Sequence, residues 1–285
     1  MILAEARRIL KERALRSSGA EHHSPNAEQI EPAEVDYLLA HELQCSTAQL
    51  YLREQQTLSD QQWQHWQRQW ARRLQGEPMA HILGERGFWT LDLYCDASTL
   101  IPRPDTEALV EAALRLLPQG PLLGLDAGTG TGALALALRA ERPDWTLLAM
   151  DFSEPALRLA KRNAARHDLP LLLFRGDWLQ AVANGSLDFI ISNPPYIDPQ
   201  DPHLQQGDLR FEPLSALVAE QQGLACYQLL LEQGRRVLRP HGYLLLEHGY
   251  DQAASLAAMA QAMGWTVLEQ GQDYGGNDRF SLLQC

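Results

Sequence analysis

The chain has 285 residues, 45% of them hydrophobic and 21% charged. These are ordinary values for a globular protein, and the length suffices for one large domain beside a small one. No apolar run reaches the roughly 18–20 residues of a membrane span. The net charge of −12 is unevenly divided. Residues 1–75 hold 9 Lys/Arg against 10 Asp/Glu, leaving 15 against 26 in residues 76–285. That balance is poor for a surface that must neutralise phosphates, so neither nucleic acid nor a membrane is expected as a direct partner. A protein or small-molecule substrate is.

The start, Met1 to Arg8, reads as an amphipathic helix without the apolar block and cleavage site of a signal peptide. The stretch Ser17–Asn26 is a polar breaker, expected as a loop. Apolar spacing of three and four predicts helices over Ala33–Leu43 and Asp60–Leu74, the latter capped by Ser59-Asp60. Trp63, Trp66 and Trp70 share one face of the second helix and are expected as a packing stripe. From Gly76 to Pro104 the pattern turns to short extended pieces, with Phe88-Trp89 and Leu91–Tyr94 suggesting a hairpin. The expected division is a helical domain over residues 1–80 and a second domain over 81–285, the hairpin linker occupying about 81–104.

Beyond the linker, strand and helix alternate. Strands are expected at Leu122–Asp126, Thr146–Asp151, Leu171–Arg175, Leu187–Ser192, Tyr243–Glu247, Thr266–Glu269 and Phe280–Gln284. Helices are expected at Thr106–Leu117, Ala133–Ala140, Glu154–His167 and Leu224–Val237. Such alternation predicts an α/β class fold, a doubly wound, mostly parallel seven-stranded Rossmann-like sheet whose ligands sit outside the carboxyl ends of the strands. The four cysteines form no C-x-x-C pair and the nine histidines no H-E-x-x-H, so no metal site and no disulfide framework is expected, and a reducing cytoplasm fits.

Asp126-Ala127-Gly128-Thr129-Gly130-Thr131-Gly132 follows the first of those strands and opens a helix. Glycines at alternate positions let the backbone turn sharply and approach a ligand closely. Asp151 ends the second strand, where a carboxylate can accept from ribose hydroxyls. The same loop satisfies G-x-G-x-x-A, with an acidic residue at the spacing of a nicotinamide dinucleotide site. Two features favour S-adenosylmethionine instead. Asp126 precedes the first Gly by two residues and can hold an ammonium group, and Asn193-Pro194-Pro195-Tyr196 follows the fourth strand. Asp177 and Trp178, after the third strand, are expected over an adenine, as acceptor and packing surface.

Asn193-Pro194-Pro195-Tyr196 makes a stiff turn, since both prolines lack an N–H and have φ fixed. Asn193 Oδ1 and the Pro194 carbonyl are two acceptors on a rigid frame. A planar amino group gripped there is held still with its lone pair free to point at an electrophile. Tyr196 is expected to pack on that group and exclude water. A glutamine amide, an adenine amine and a guanine amine all satisfy this chemistry. No strong base is required, which argues against that role for His248 in Glu247-His248-Gly249, a segment expected to shape the sheet edge. In Pro102–Glu107 either Asp105 or Thr106 can cap the next helix; alternatively, Arg103 and Glu107 cover the substrate channel.

Several stretches together resemble the release-factor glutamine methyltransferases of the HemK type over nearly the whole chain. They are Gly76–Gly84, Phe88-Trp89, Leu100–Glu107, the glycine loop, Ser192–Ile197, Asp201–Leu204, Arg210–Pro213, Glu247–Gly249 and Asp278–Phe280. Asn-Pro-Pro-Tyr alone is shared with amino-methylating enzymes of DNA and RNA; Ile101–Glu107 together with Arg210–Pro213 is far more specific. The resemblance implies N5-methylation of the glutamine in the Gly-Gly-Gln motif of peptide-chain release factors, with S-adenosylmethionine as donor; a monomer is expected, although the sequence itself does not reveal the oligomeric state. It implies cofactor contacts at Gly128, Thr129, Gly130, Thr131, Gly132, Asp151, Trp178 and Asn193, substrate contacts along Asn193, Pro194, Pro195 and Tyr196, and docking of the release factor by the amino-terminal helices. The sequence departs from the family at Ala127, at Gly87 and in an insertion around Ser17–Glu28. A ribosomal-protein glutamine methyltransferase, a nucleic-acid amino methyltransferase (adenine N6 or guanine N2) and a cofactor-binding module without activity are the alternatives.

Overall fold

A computed structural model of the chain describes residues 1–19 and 30–285. The loop expected over Ser17–Asn26 and the insertion to Glu28 lie outside the described residues, except for Ser17–Gly19, which end the first helix. Two units are distinguished. The first comprises Met1–Gly84 and Pro202–Phe211, the second Glu85–Asp201 and Glu212–Cys285. No local pattern in the sequence signals that residues 202–211 group with the first.

The first unit is built from α1 (Leu3–Gly19), α2 (Ala33–Glu42), α3 (Thr47–Leu52), α4 (Asp60–Leu74) and α5 (Met79–Leu83). Helix α4 starts at a capping box, in which Ser59 accepts from Gln62 N and Gln62 accepts from Ser59 N. The tryptophan stripe packs inward as expected: Trp66 and Trp70 are buried with Leu3, Leu10, Leu38 and Leu39, and Trp63 lies against them. A salt bridge of Arg7 with Asp36 (2.5 Å), joined by Lys11 at 2.8 Å, ties α1 to α2. Helix α5 falls where extended chain was expected; its five residues are too few to show a helical period.

In the second unit, the hairpin β1 (Glu85–Phe88) and β2 (Leu91–Tyr94) precedes α6 (Glu107–Leu116), β3 (Leu123–Ala127), α7 (Ala133–Glu141), β4 (Thr146–Asp151), α8 (Glu154–Arg166), β5 (Leu172–Arg175) and β6 (Leu187–Ser192). Then follow α9 (Ala225–Val237), β7 (Leu238–Glu247), α10 (Ala253–Ala262), β8 (Thr266–Gln272) and β9 (Asp278–Gln284). The seven strands form one sheet in the order β5-β4-β3-β6-β7-β9-β8. The first five are parallel, while β9 runs antiparallel to both β7 and β8. This is the expected doubly wound sheet. Separate apolar cores cover its faces, one with Leu109, Leu136, Trp145 and Phe189, the other with Leu125, Ile190, Tyr227 and Leu244. The chain runs β3, β4, β5 towards one edge and then crosses back to β6 on the other side of β3. Strand order therefore reverses at the carboxyl end of β3, where a crevice opens.

Asn163, on α8, is fully buried and links the hairpin to the glycine loop. Its Oδ1 accepts from Tyr94 N at 2.7 Å, and its Nδ2 donates to the carbonyls of Tyr94 (3.2 Å) and Thr131 (2.9 Å). Asn163→Ala strands three buried backbone groups, each costing about 1 kcal/mol or more. A loss of about 3 kcal/mol and a Tm lower by about 6–12 °C is the expected result of a thermal melt. A change under 2 °C would mean that these bonds do not hold the loop.

Candidate active site

The carboxyl ends of β3, β4 and β6 surround a cavity of about 530 Å³ lined entirely by residues of the second unit. Gly128, Gly130 and Gly132 adopt φ of +79°, +55° and +86°, the left-handed region that glycine enters without a Cβ penalty. The N–H groups of Gly128 and Thr129 are both tied to the Met150 carbonyl at 2.9 Å, which fixes the loop against β4. No atom lies within 4 Å of where a Cβ on Gly128 would stand, so this backbone is open to close approach.

Three carboxyls edge the cavity. Asp151 Oδ2 accepts from Gly130 N at 2.9 Å and its Oδ1 from Ser153 N at 2.8 Å; burial raises its pKa against those bonds. Asp126 is buried, and Oδ2 accepts from Thr129 Oγ1 (2.6 Å) and Ala135 N (3.2 Å). Its Oδ1 is buried with no partner, and burial pushes its pKa up to about 7. Asp177 is exposed, with Oδ2 accepting from Gln180 Nε2 at 2.8 Å. Trp178 follows it at a φ of +48° and packs against the second core. Phe152, next to Asp151, lines the cavity although 66% exposed, with the Arg175 guanidinium 5.6 Å from its ring centre.

The Asn193–Tyr196 turn begins where β6 ends. Ser192 Oγ donates to the Ala127 carbonyl at 2.6 Å, locking the end of β6 to that of β3. Beyond the turn, Gln252 Nε2 donates to the Tyr196 carbonyl at 3.0 Å. Gly223 lies so close that a Cβ there would stand 2.1 Å from the same oxygen. Asn193 and Pro195 line the cavity; Pro194 is buried between them and does not. Asn193 Nδ2 donates to Thr106 Oγ1 at 3.2 Å, which leaves Oδ1 as the free end of the carboxamide.

Three expected roles meet a different arrangement. Tyr196 does not line the cavity. Its ring packs against the second core, and its hydroxyl donates to Glu247 Oε1 at 3.3 Å. Glu107 is also off the cavity: its Oε1 accepts from Trp89 N at 2.9 Å, bracing the hairpin turn where Trp89 has a φ of +55°. Neither Asp105 nor Thr106 caps α6 through its side chain; a 3-10 turn over Pro104–Thr106 leads into the helix, and the Thr106 hydroxyl is taken by Asn193. Arg103 does line the cavity. Its Nη2 bonds Glu212 Oε2 at 2.7 Å, while Glu212 Oε1 accepts from Ile101 N at 2.8 Å, so Pro102–Glu107 is strapped down by a buried carboxylate. His248 is buried, its Nδ1 donating to the Gly249 carbonyl at 3.0 Å. Burial lowers its pKa and it stands off the cavity, as fits a residue that shapes the sheet edge.

The family model "Methyltransferase small domain" matches residues 106–208, and "PrmC N-terminal domain" matches residues 2–84. A release factor glutamine methyltransferase of Shewanella oneidensis is 45% identical over 250 residues, covering 87% of each chain. One from Escherichia coli is 49% identical over 226 residues, 79% of this chain and 82% of that one. The chain belongs to the release factor glutamine methyltransferase family. It is accordingly a methyltransferase, and the family's two matched domains cover the helical region and the sheet-bearing half through the Asn193–Tyr196 turn. A methyltransferase crystal structure from Pyrococcus furiosus, 21% identical, shares the fold with a TM-score of 0.54 over 76% of this chain and 97% of that one. No helix among the described residues of this family member is long and apolar enough to cross a membrane.

Proposed function

We propose that the chain methylates the side-chain amide nitrogen, N5, of the glutamine in the Gly-Gly-Gln motif of a peptide-chain release factor, with S-adenosylmethionine as donor. The observation that carries this reading is the orientation of Asn193: its NH2 end is engaged by Thr106 and its oxygen is left at the cavity. A substrate N–H finds an acceptor there. The names of the relatives at 42–49% identity supply the class of substrate.

The residues present fit the donor. Asp126 Oδ1, a buried acceptor without a partner, suits an ammonium group. The open Gly128 backbone suits a close-lying chain, Asp151 a pair of ribose hydroxyls, and Phe152 with Trp178 an adenine between aromatic surfaces. When bound, the donor supplies a methyl group made electrophilic by a sulfonium. Asn193 Oδ1 accepts one N–H of the glutamine amide. The Pro194 carbonyl accepts no hydrogen bond among the described residues and is read as the second acceptor, although Pro194 is buried and off the cavity. Two fixed acceptors hold the nitrogen in place and stabilise the positive charge that builds on it as it is alkylated. The product nitrogen is strongly acidic and loses its proton to water, so His248 need not act. Tyr196 serves the turn from behind, through Glu247.

The helical unit is read as the release-factor dock. Tyr37, Tyr51 and Leu52 on α2 and α3 are 48%, 58% and 87% exposed, apolar surface of the kind an interface covers. The protein is read as a cytoplasmic monomer. Incubation with methyl-labelled donor and release factor, ribosomal proteins or nucleic acid tests the substrate. Label on the release-factor glutamine is expected; label on nucleic acid with none on release factor would overturn the reading. Phe152→Ala is expected to weaken donor binding about tenfold in a calorimetric titration, the loss of one aromatic contact worth about 1–1.5 kcal/mol. An unchanged affinity would remove Phe152 from the donor site.

A further inference from the structure

We propose that the Thr99 hydroxyl holds the α-carboxylate at the methionine end of the methyl donor. The inference rests on the reading of that donor as S-adenosylmethionine, and it names a contact that the glycine loop does not supply. Thr99 is 2% exposed and lines the cavity, and its Oγ1 is buried without a hydrogen-bond partner. A buried hydroxyl left unpaired is costly to keep. A polar ligand group in the cavity satisfies it.

Beyond its base, the methyl donor presents an ammonium, two ribose hydroxyls and a carboxylate. The first two kinds of group are served by acceptors, which the wall provides in Asp126 and Asp151. A carboxylate only accepts, and therefore needs N–H or O–H groups. The glycine loop has few to offer. The N–H groups of Gly128 and Thr129 go to the Met150 carbonyl, that of Gly130 to Asp151, and that of Gly132 to the Thr129 carbonyl. Ala135 N and the Thr129 hydroxyl are both spent on Asp126 Oδ2. Elsewhere in the wall, the Ser98 hydroxyl donates to Asp96, and that of Thr106 accepts from Asn193. Among the described residues, Thr99 carries the only cavity-lining hydroxyl that is buried without a partner.

Its position suits the carboxylate. Thr99 Cβ lies 3.8 Å from where a Cβ on Gly130 would stand. Gly130 follows Thr129, whose hydroxyl is 2.6 Å from Asp126. Thr99 and Asp126 thus stand against the same stretch of loop, as the partners of two groups on one α-carbon must. The segment that carries Thr99 is pinned on both sides. Ser98 N donates to Asp96 Oδ1 at 2.9 Å, and Ile101 N to Glu212 Oε1 at 2.8 Å. Of the residues lining the cavity, Arg103 alone has a cationic side chain, against the three aspartates. Its charge is shared with Glu212, so it biases the wall towards an anion while the hydroxyl supplies the directed bond.

The test is a calorimetric titration of the full chain, without release factor, against S-adenosylmethionine and decarboxylated S-adenosylmethionine. The parent should bind the first at least tenfold more tightly; equal affinities overturn the proposal. Thr99→Val has nearly the same shape and no hydroxyl. Its Kd for S-adenosylmethionine should rise about tenfold, the scale of one hydrogen bond to a charged group, while its Kd for the decarboxylated compound stays within threefold of the parent's. An unchanged affinity for S-adenosylmethionine overturns the proposal. So does an equal loss for both compounds, which would place the hydroxyl on another part of the methyl donor. Should Thr99→Val fail to fold, Thr99→Ser and Thr99→Ala decide. The serine keeps a hydroxyl and should bind S-adenosylmethionine at least fivefold more tightly than the alanine; equal binding overturns the proposal. A parent that binds neither compound defeats the reading of the methyl donor itself, whereas a discriminating parent with an indifferent variant defeats this inference alone.

Discussion

Asn193→Ala is expected to reduce turnover at least about a thousandfold while changing donor affinity by less than tenfold. Two losses combine in the rate. The substrate nitrogen loses an acceptor that bears on charge developing during transfer, a kind of contact worth 10²–10³ by itself, and it also loses the constraint that holds it in line. Donor binding loses one hydrogen bond among many, about 1 kcal/mol net. The truncation is confined to the site, because Ser192 and Gln252 pin the turn on either side of Asn193 by bonds that do not involve its side chain. Single-turnover kinetics together with a calorimetric titration make the check. Full activity at unchanged donor affinity would rule out the role given to Asn193.

Asp151→Ala should act in the opposite sense, with donor Kd rising a hundredfold or more. The carboxylate spans two backbone donors, Gly130 N in the glycine loop and Ser153 N at the start of α8. Removing it leaves both N–H groups without a partner and frees the loop whose left-handed glycines form the cavity wall. It also removes the acceptor proposed for the ribose. Together these losses amount to about 3 kcal/mol or more, equivalent to a Kd change above a hundredfold. Asp151→Asn retains one acceptor oxygen and should lie between the two. Donor affinity within threefold of the parent in Asp151→Ala would show that the loop holds its shape unaided and that the carboxylate does not reach the donor.

The parts of this site that could be read from the sequence are those encoded within a few neighbouring residues. Leu187–Ser192 is a continuous apolar strand stopped by two prolines, and strand and turn stand where that pattern puts them. Gly128–Gly132 opens a helix after a strand, and the glycines take the conformations that residue type permits. Glu107 and Tyr196 sit in motif positions that suggested substrate contact, yet their partners are Trp89 and Glu247, 18 and 51 residues away. Thr106 reads as a helix cap in isolation; its partner Asn193 lies 87 residues on. The strand expected from Tyr243 begins at Leu238, and β7 absorbs Pro240 and Gly242 as an irregular register against β6. Helix α10 is alanine-rich with little contrast between its faces and gave no helical period to detect. Phe152 carries no signal beyond following Asp151.

The grouping of Pro202–Phe211 with the first 84 residues has a consequence for biosynthesis. A nascent chain that has emerged only as far as Gly84 still lacks the Arg210 guanidinium that lies against Gly76. The helical unit therefore cannot reach its final form until the ribosome has also made β3 to β6. Its completion is coupled to the emergence of the segment that carries the Asn-Pro-Pro-Tyr turn, and a truncated product ending before Pro202 should remain open to proteolysis near Gly76.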